Sequence, residues 1–353
     1  MVTDALKNRL VIAGLVLAAA GMIDGGSAEP ADATRTRPTG QTVVISWVGD
    51  ICLAGSVARL ARLRGMDYVL AEVSDTLNSD SFSVGNLECS VSTIGKPQKH
   101  KEYTFQAPPV LLDGLKSGGI DAVSLANNHV LDYGRDALVE MLGHLDSAGI
   151  QFGGAGVDIS SAAAPVPVTM GGRKFFIICY SRVVPDTFWY ARPSRPGVIG
   201  AYDPQRLLQS IAVTKDSGDI VAVYLHWGKE MQRVPEPYQQ VLARRCIEAG
   251  ADLVVGSHPH ALQGFEYYQG KLIAYSLGDF IFSSREHRPT VILRTVFVGD
   301  SLTSASIIPC RLSHLRPEFV ADDGDRQNIF RDITAISYGV VVDSLGRLGP
   351  AMP

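Results

Sequence analysis

Two carboxylates, an asparagine pair and four histidines gather in this chain in five short polar clusters. They read Val48-Gly49-Asp50, Gly85-Asn86-Leu87-Glu88, Ala126-Asn127-Asn128-His129, Leu225-His226-Trp227-Gly228 and Gly256-Ser257-His258-Pro259-His260. Each ends an apolar, strand-like run. Ligand sites in α/β folds form at the carboxyl ends of strands, so five such clusters read as parts of one site. Asp, Glu, Asn and His together suit a hard-to-borderline divalent cation. Asp50 and Glu88 bring negative charge, Asn128 a neutral carbonyl oxygen, and His226, His258 and His260 nitrogens. On an extended segment His258 and His260 would share one face, with Pro259 stiffening the pair. A centre of two such cations, roughly 3.5–4 Å apart, activates water and clamps a phosphoryl group.

The elements that must deliver these clusters are legible from periodicity. Strands are expected over 42–48, 82–87, 120–125, 219–225 and 252–255. Leu138, Met141, Leu142, Leu145 and Ala148 recur at three- and four-residue steps after Gly134, which makes an amphipathic helix with Gly149 at its end. Helices are also expected over 67–77, over 203–215 with Asp203 capping Pro204, and over 238–249. Runs 262–267 and 272–276 read as a hairpin around Gly270, and β-branched alternation over 290–312 as two closing strands. Strands alternating with helices argue an α/β class. Adjacent strands at 165–180, 262–276 and 290–312 make the sheets mixed. A sandwich of two mixed β-sheets with helices outside satisfies both. Residues 41–312 are expected to form one domain and 313–353 a peripheral segment.

Composition narrows the function classes. The chain of 353 residues is 46% hydrophobic and 19% charged, the balance of a globular protein. A net charge of -4 gives no reason to expect a nucleic-acid partner. Lys7 and Arg9 precede an apolar run over 10–23 and the small residues Gly26-Ser27-Ala28. That is the layout of a secretory signal over 1–28, with an uncleaved N-terminal anchor as the alternative. Residues 29–40 read as a linker. The 5 cysteines lack Cys-x-x-Cys spacing, so no disulfide framework is expected.

The clusters, together with Asp132-Tyr133-Gly134, Lys229-Glu230 and Ser276-Leu277-Gly278-Asp279-Phe280, resemble the CapA-type capsule-synthesis family over about residues 43–285. That family is associated with poly-γ-glutamate and related to the calcineurin-like metallophosphoesterases. The resemblance implies their four-layer α/β/β/α sandwich, and one or two divalent ions (Mn, Zn, Fe or Mg) held by Asp50, Glu88, Asn128, His226, His258 and His260. It implies that His129 protonates the leaving group. Cys52 stands where the phosphoesterase Asp-x-His pattern has its histidine, and Val130 replaces the acid that closes the third motif, a place Asp132 can take. Asp279 departs from an expected Asn. Glu230 is expected to orient His226 or another ligand, a supporting role shared with Asn127, Asp132 and Asp279.

Each feature has a plainer reading. Gly49-Asp50 alone would be a turn, His226 alone a buried structural histidine, and Asn127 with Asp132 the caps of the following helix. Two loops extend the expectation to substrate. Residues 96–103 carry Lys96, Lys99 and Lys101, and 182–196 carry Arg192 and Arg195 beside aromatic residues. Both favour an anionic ligand, or are simply solvated. The implied protein is exported, periplasmic or extracellular. It hydrolyses a phosphoester or an anionic polymer such as poly-γ-glutamate, beside the membrane capsule-synthesis machinery. The alternative is a non-catalytic accessory subunit of a membrane polyglutamate synthase.

Overall fold

A computed structural model describes residues 42–215, 219–283 and 287–351. The signal or anchor over 1–28 and the linker over 29–40 lie outside the described residues. Among those described, no helix is long and apolar enough to cross a membrane.

The chain builds one sheet, then a second, then returns to the first. β1 (Thr42–Ile51), β2 (Phe82–Leu87), β3 (Ala122–Ser124) and β4 (Gln151–Gly153) run parallel. Helices such as Leu111–Ser117 and Arg135–Ser147 make the crossovers that parallel pairing requires. The second sheet begins with an antiparallel pair, β5 (Val166–Met170) and β6 (Arg173–Ser181). β7 (Ile220–His226) and β8 (Leu253–Ser257) continue it in parallel, each preceded by a helix, Gln205–Lys215 and Pro237–Glu248. The hairpin of β9 (Phe265–Tyr268) and β10 (Lys271–Ala274) closes it, with Gly270 at φ 74° in the turn. β11 (Asp279–Ile281) then re-enters beside the end of β1, followed by the antiparallel β12 (Arg288–Val298), β13 (Ser301–Ser313) and β14 (Arg316–Phe319). The first sheet runs β14-β13-β12-β1-β2-β3-β4 with β11 off this path, and the second β9-β10-β8-β7-β6-β5.

Side-chain alternation packs these layers. Ile177, Cys179, Ala222, Tyr224, Leu253 and Val255 share one core with Ile45, Trp47 and Val84 of the first sheet. Their neighbours Ile178, Tyr180, Val221, Val223, Leu225 and Val254 face the other way, against Leu207, Ile211, Leu242 and Cys246 of the outer helices. The result is the expected α/β/β/α sandwich of two mixed sheets. All five cysteines are buried and free.

Two expectations change. The helix over 67–77 is two short helices, Met66–Leu70 and Ser74–Ser79, because residues 71–73 form a tight turn that still buries Val73. The segment after 312 supplies edge strand β14, and its helix Asp323–Ala335 buries Ile329, Phe330 and Ile333.

The sheets are pinned together where β1 ends. The register of β1 against β2 shifts between Trp47 and Asp50, and the Tyr224 hydroxyl of the second sheet donates to the Val48 carbonyl at 2.7 Å. Gly49 lies in this strand rather than in a turn. A Cβ there would meet the Gly278 carbonyl oxygen at 1.8 Å, the same atom that accepts the Asp50 N–H at 2.9 Å. Gly49→Ala should therefore lower stability by at least about 2 kcal/mol, since overpacking against backbone has no flexible side chain to yield. Chemical denaturation measures it; an unchanged midpoint would mean β1 and β11 separate freely.

Candidate metal centre

Asp50 and Glu88, at the ends of β1 and β2, are both fully buried. Asp50 Oδ1 accepts from Asn86 Nδ2 at 2.8 Å, and Oδ2 accepts from the backbone N–H of His258 at 3.0 Å. Asn86 Nδ2 also lies 3.5 Å from Glu88 Oε2. Glu88 Oε1 is buried and has no hydrogen-bond partner. An unpaired buried acceptor costs about 1–3 kcal/mol. Burial, and then the charge of Asp50, pushes the Glu88 carboxyl well above the usual carboxylate range; burial raises Asp50 too.

Imidazoles surround that orphan oxygen. Glu88 Oε1 is 3.5 Å from His226 Nε2 and 4.0 Å from Nε2 of both His129 and His260. Asn128 Oδ1 meets His226 Nε2 at 2.7 Å. His226 Nδ1 lies 3.2 Å from Asn86 Nδ2 and from Ser257 Oγ, which fixes the ring. His258 Nδ1 is buried without a partner. Burial, reinforced by the neighbouring imidazoles, pulls His226 well down and His258 down to about 3. His260 goes the other way. Burial disfavours its charge, but Glu88, Asp279 and Asp50 outweigh burial and hold it up at about 10. Its Nδ1 contacts Asp279 Oδ1 at 2.6 Å, which leaves Nε2 turned toward Glu88.

The side chains fall into overlapping groups whose ligand atoms lie within 4.8 Å of one another. Glu88, His226 and His258 form one; Asp50, Glu88 and His260 another; Glu230, His258 and His260 a third. Glu88 belongs to the first two, as a carboxylate bridging two cations would.

His129 borders the centre, buried against the Phe105 ring at 4.4 Å between centroids. Its Nδ1 is 2.7 Å from Asp132 Oδ2 and 3.0 Å from Lys101 Nζ. Lys101 also donates to Asp132 and to the Asn128 carbonyl. Burial lowers the pKa of both His129 and Lys101, against the pull of Asp132.

Several sequence expectations are corrected. His258 and His260 are not on an extended segment: β8 stops at Ser257, and their φ angles are 96° and 53°. Such left-handed conformations cost about 1–3 kcal/mol each and concentrate at functional sites. Asn127 and Asp132 do not cap the next helix, which has no side-chain cap. Asn127 donates to Asn86 Oδ1 and the Leu87 carbonyl, and accepts from the His129 N–H. Asp132 accepts from the Phe105 N–H at 2.7 Å. Glu230 is exposed and sits beside His258 and His260 rather than on His226. Cys52 turns to the Cys89 thiol and joins none of the ligand groups. Of the basic residues expected to meet substrate, Lys101 bonds Asp132 and the Asn128 carbonyl beside His129. Lys96, Lys99 and Arg192 are exposed, and their side chains make no ion pair among the described residues. Asn86 stands in the second cluster, but sequence reasoning assigned it no role of its own. Its signal was its place two positions before Glu88, on the same strand face.

Fold and geometry thus define an α/β/β/α sandwich whose strand ends carry a candidate centre for divalent cations. The chain belongs to the bacterial capsule synthesis protein PGA_cap family, whose model matches residues 44–284. It is 28% identical to the capsule biosynthesis protein CapA of Bacillus anthracis, over 83% of this chain and 73% of that protein. It is 30% identical to the PGA biosynthesis protein CapA of Bacillus subtilis, over 82% and 77%. A probable polyglutamine synthesis accessory protein of Mycobacterium tuberculosis is 32% identical, over 65% and 66%.

The pH dependence of the cation-free protein follows in sign. His260 binds its proton up to about 10 in the fold against an ordinary 6.5, so stability is fully present below 6.5 and lost as pH rises toward 10. The raised carboxyls of Glu88 and Asp50 act in the same direction from lower pH. His226 and His258 resist protons that the unfolded chain accepts, so stability also falls as pH drops below 6.5. Added Mn²⁺ should flatten the alkaline limb by replacing those protons. Thermal midpoints with chelator and with Mn²⁺ test this; a chelated protein with a flat profile from pH 6.5 to 10 would contradict it.

Proposed function

We propose that this chain is an exported hydrolase of anionic surface-polymer synthesis, acting on poly-γ-glutamate or on a phosphoester, with one or two divalent cations held by Asp50, Glu88, Asn128, His226, His258 and His260. One observation carries the reading: Glu88 and His258, each with a buried, unpartnered atom (Oε1 and Nδ1), belong to the same ligand group. A carboxylate, an amide oxygen and imidazoles are the donor set such cations take. Family membership, and relatives named for capsule and PGA biosynthesis, support the polymer context.

A bound divalent cation supplies Lewis-acid activation at this edge. Glu88 holds the two ligand groups in common. Asp279 fixes the His260 ring through Nδ1, and Asn86 with Ser257 fixes His226. Asp132 orients the His129 ring through Nδ1 and so turns Nε2 toward the centre, where a proton carried there would reach a leaving oxygen or nitrogen. Lys101 steadies Asp132 and adds positive charge beside the departing anion.

His129→Ala is expected to lower kcat by about 10²-fold or more, as removal of a general acid does, while cation content stays that of the native protein. Elemental analysis with a panel of phosphodiesters and γ-glutamyl oligomers tests it. Unchanged turnover removes His129 from the chemistry. Cations without turnover on any substrate would favour the accessory role named for the Mycobacterium tuberculosis relative.

A further inference from the structure

Arg135, Arg182 and Arg195 stand near the site, and no carboxylate pairs with them among the described residues. Arg135 and Arg195 lie over the same exposed ring, Phe188, at 4.3 and 4.6 Å from its centroid. Their uncharged partners are backbone oxygens: Arg135 donates to the Pro196 and Phe188 carbonyls, Arg195 to that of Tyr190. Arg195 Nε is buried with no partner, and so is Arg182 Nη1. The nearby carboxylate of Asp186 accepts the Phe188 N–H. Two guanidinium groups sharing one ring repel each other, and a bridging anion would relieve that repulsion.

This basic loop is tied to the candidate centre at both ends. On one side Lys101 Nζ, bonded to Asp132 and near His129, lies 5.1 Å from the centroid of Trp189, the neighbour of Phe188. On the other the Arg182 N–H donates to the His226 carbonyl at 2.7 Å, and its guanidinium stacks on Tyr202 at 3.8 Å and Tyr238 at 5.0 Å. Planar forks recognise carboxylates bidentately, and aromatic faces cover the apolar spacers between them.

We propose that Arg135, Arg195 and Arg182, with the exposed rings of Phe188 and Tyr202, form a track that binds successive carboxylates of a polycarboxylate chain and leads it to the candidate centre. The track rests on the reading above that the chain handles an anionic polymer, and it names the residues that would grip it. Arg135 and Arg182 carry no role in the cation site.

Fluorescence anisotropy of the full chain with a fluorescein-labelled γ-linked glutamate decamer tests the track. The controls are the same oligomer with its carboxylates amidated, and tripolyphosphate as competitor. The native protein should bind the acid form and not the amide. Arg135→Gln with Arg195→Gln should weaken binding about tenfold or more, as loss of charged hydrogen bonds does. Phe188→Ala should weaken it less, Arg195→Lys should fall between, and the exposed Arg331→Gln should bind as the native protein does. Equal binding by the double variant, equal binding of the amide, or no binding of the decamer by the native protein would overturn it, as would tripolyphosphate displacing the decamer more readily than the unlabelled decamer does. The two readings fail separately. Lost turnover with intact decamer binding removes the hydrolysis; lost decamer binding with intact phosphodiester turnover removes the track.

Discussion

Two carboxylates buried side by side, Asp50 and Glu88, are the constraint around which this fold is arranged. Asp279 adds a third on the same edge. Like charges in a poorly solvated site raise one another's pKa and weaken the fold unless something positive joins them. In the cation-free state the proton on His260 takes that part. It leaves Glu88 Oε1 with no bond and three imidazole nitrogens within 4.0 Å. A divalent cation answers this geometry better than a proton does, because it satisfies several ligands at once.

The sandwich exists in a form that can impose this. Asp50 and the His258 N–H are 208 residues apart in sequence and 3.0 Å apart in space. The contact depends on parallel strands of two sheets ending on one edge, on the Tyr224 bond to Val48, and on Gly49 letting β11 approach β1. Beyond the carboxylates the polar groups support one another in a chain. Asn127 holds Asn86, Asn86 holds Asp50 and Glu88, and Ser257 holds His226. The strained φ angles of His258 and His260 are what such over-determined surroundings sustain.

Much of this was legible in the sequence because polar residues at the ends of long apolar runs are conspicuous. The strand runs were found within a few residues, and the mixed sheets followed from adjacent strands lacking a helix. The clusters named the residues that meet. What local pattern could not carry was backbone hand and partner choice. Nothing in Ser257-His258-Pro259-His260 signals left-handed φ angles, and an Asn or Asp before a helix looks like a cap whether or not it faces a buried network. Long basic side chains are harder still. Lys101 and Lys99 are alike in sequence, yet only Lys101 meets a buried acid. Arg135 opens the helix Arg135–Ser147, and only the folded loop carrying Phe188 gives its side chain partners.

The central claim is that Glu88, with the imidazoles and Asp50 around it, would hold divalent cation at this strand edge. The anomalous scattering of Mn²⁺ in crystals of the full chain tests it most directly. The account predicts one peak, or two roughly 3.5–4 Å apart, within bonding reach of Glu88 and of at least one of His226, His258, Asp50 and His260. A single peak bound without Glu88, or no peak at saturating Mn²⁺, would contradict it.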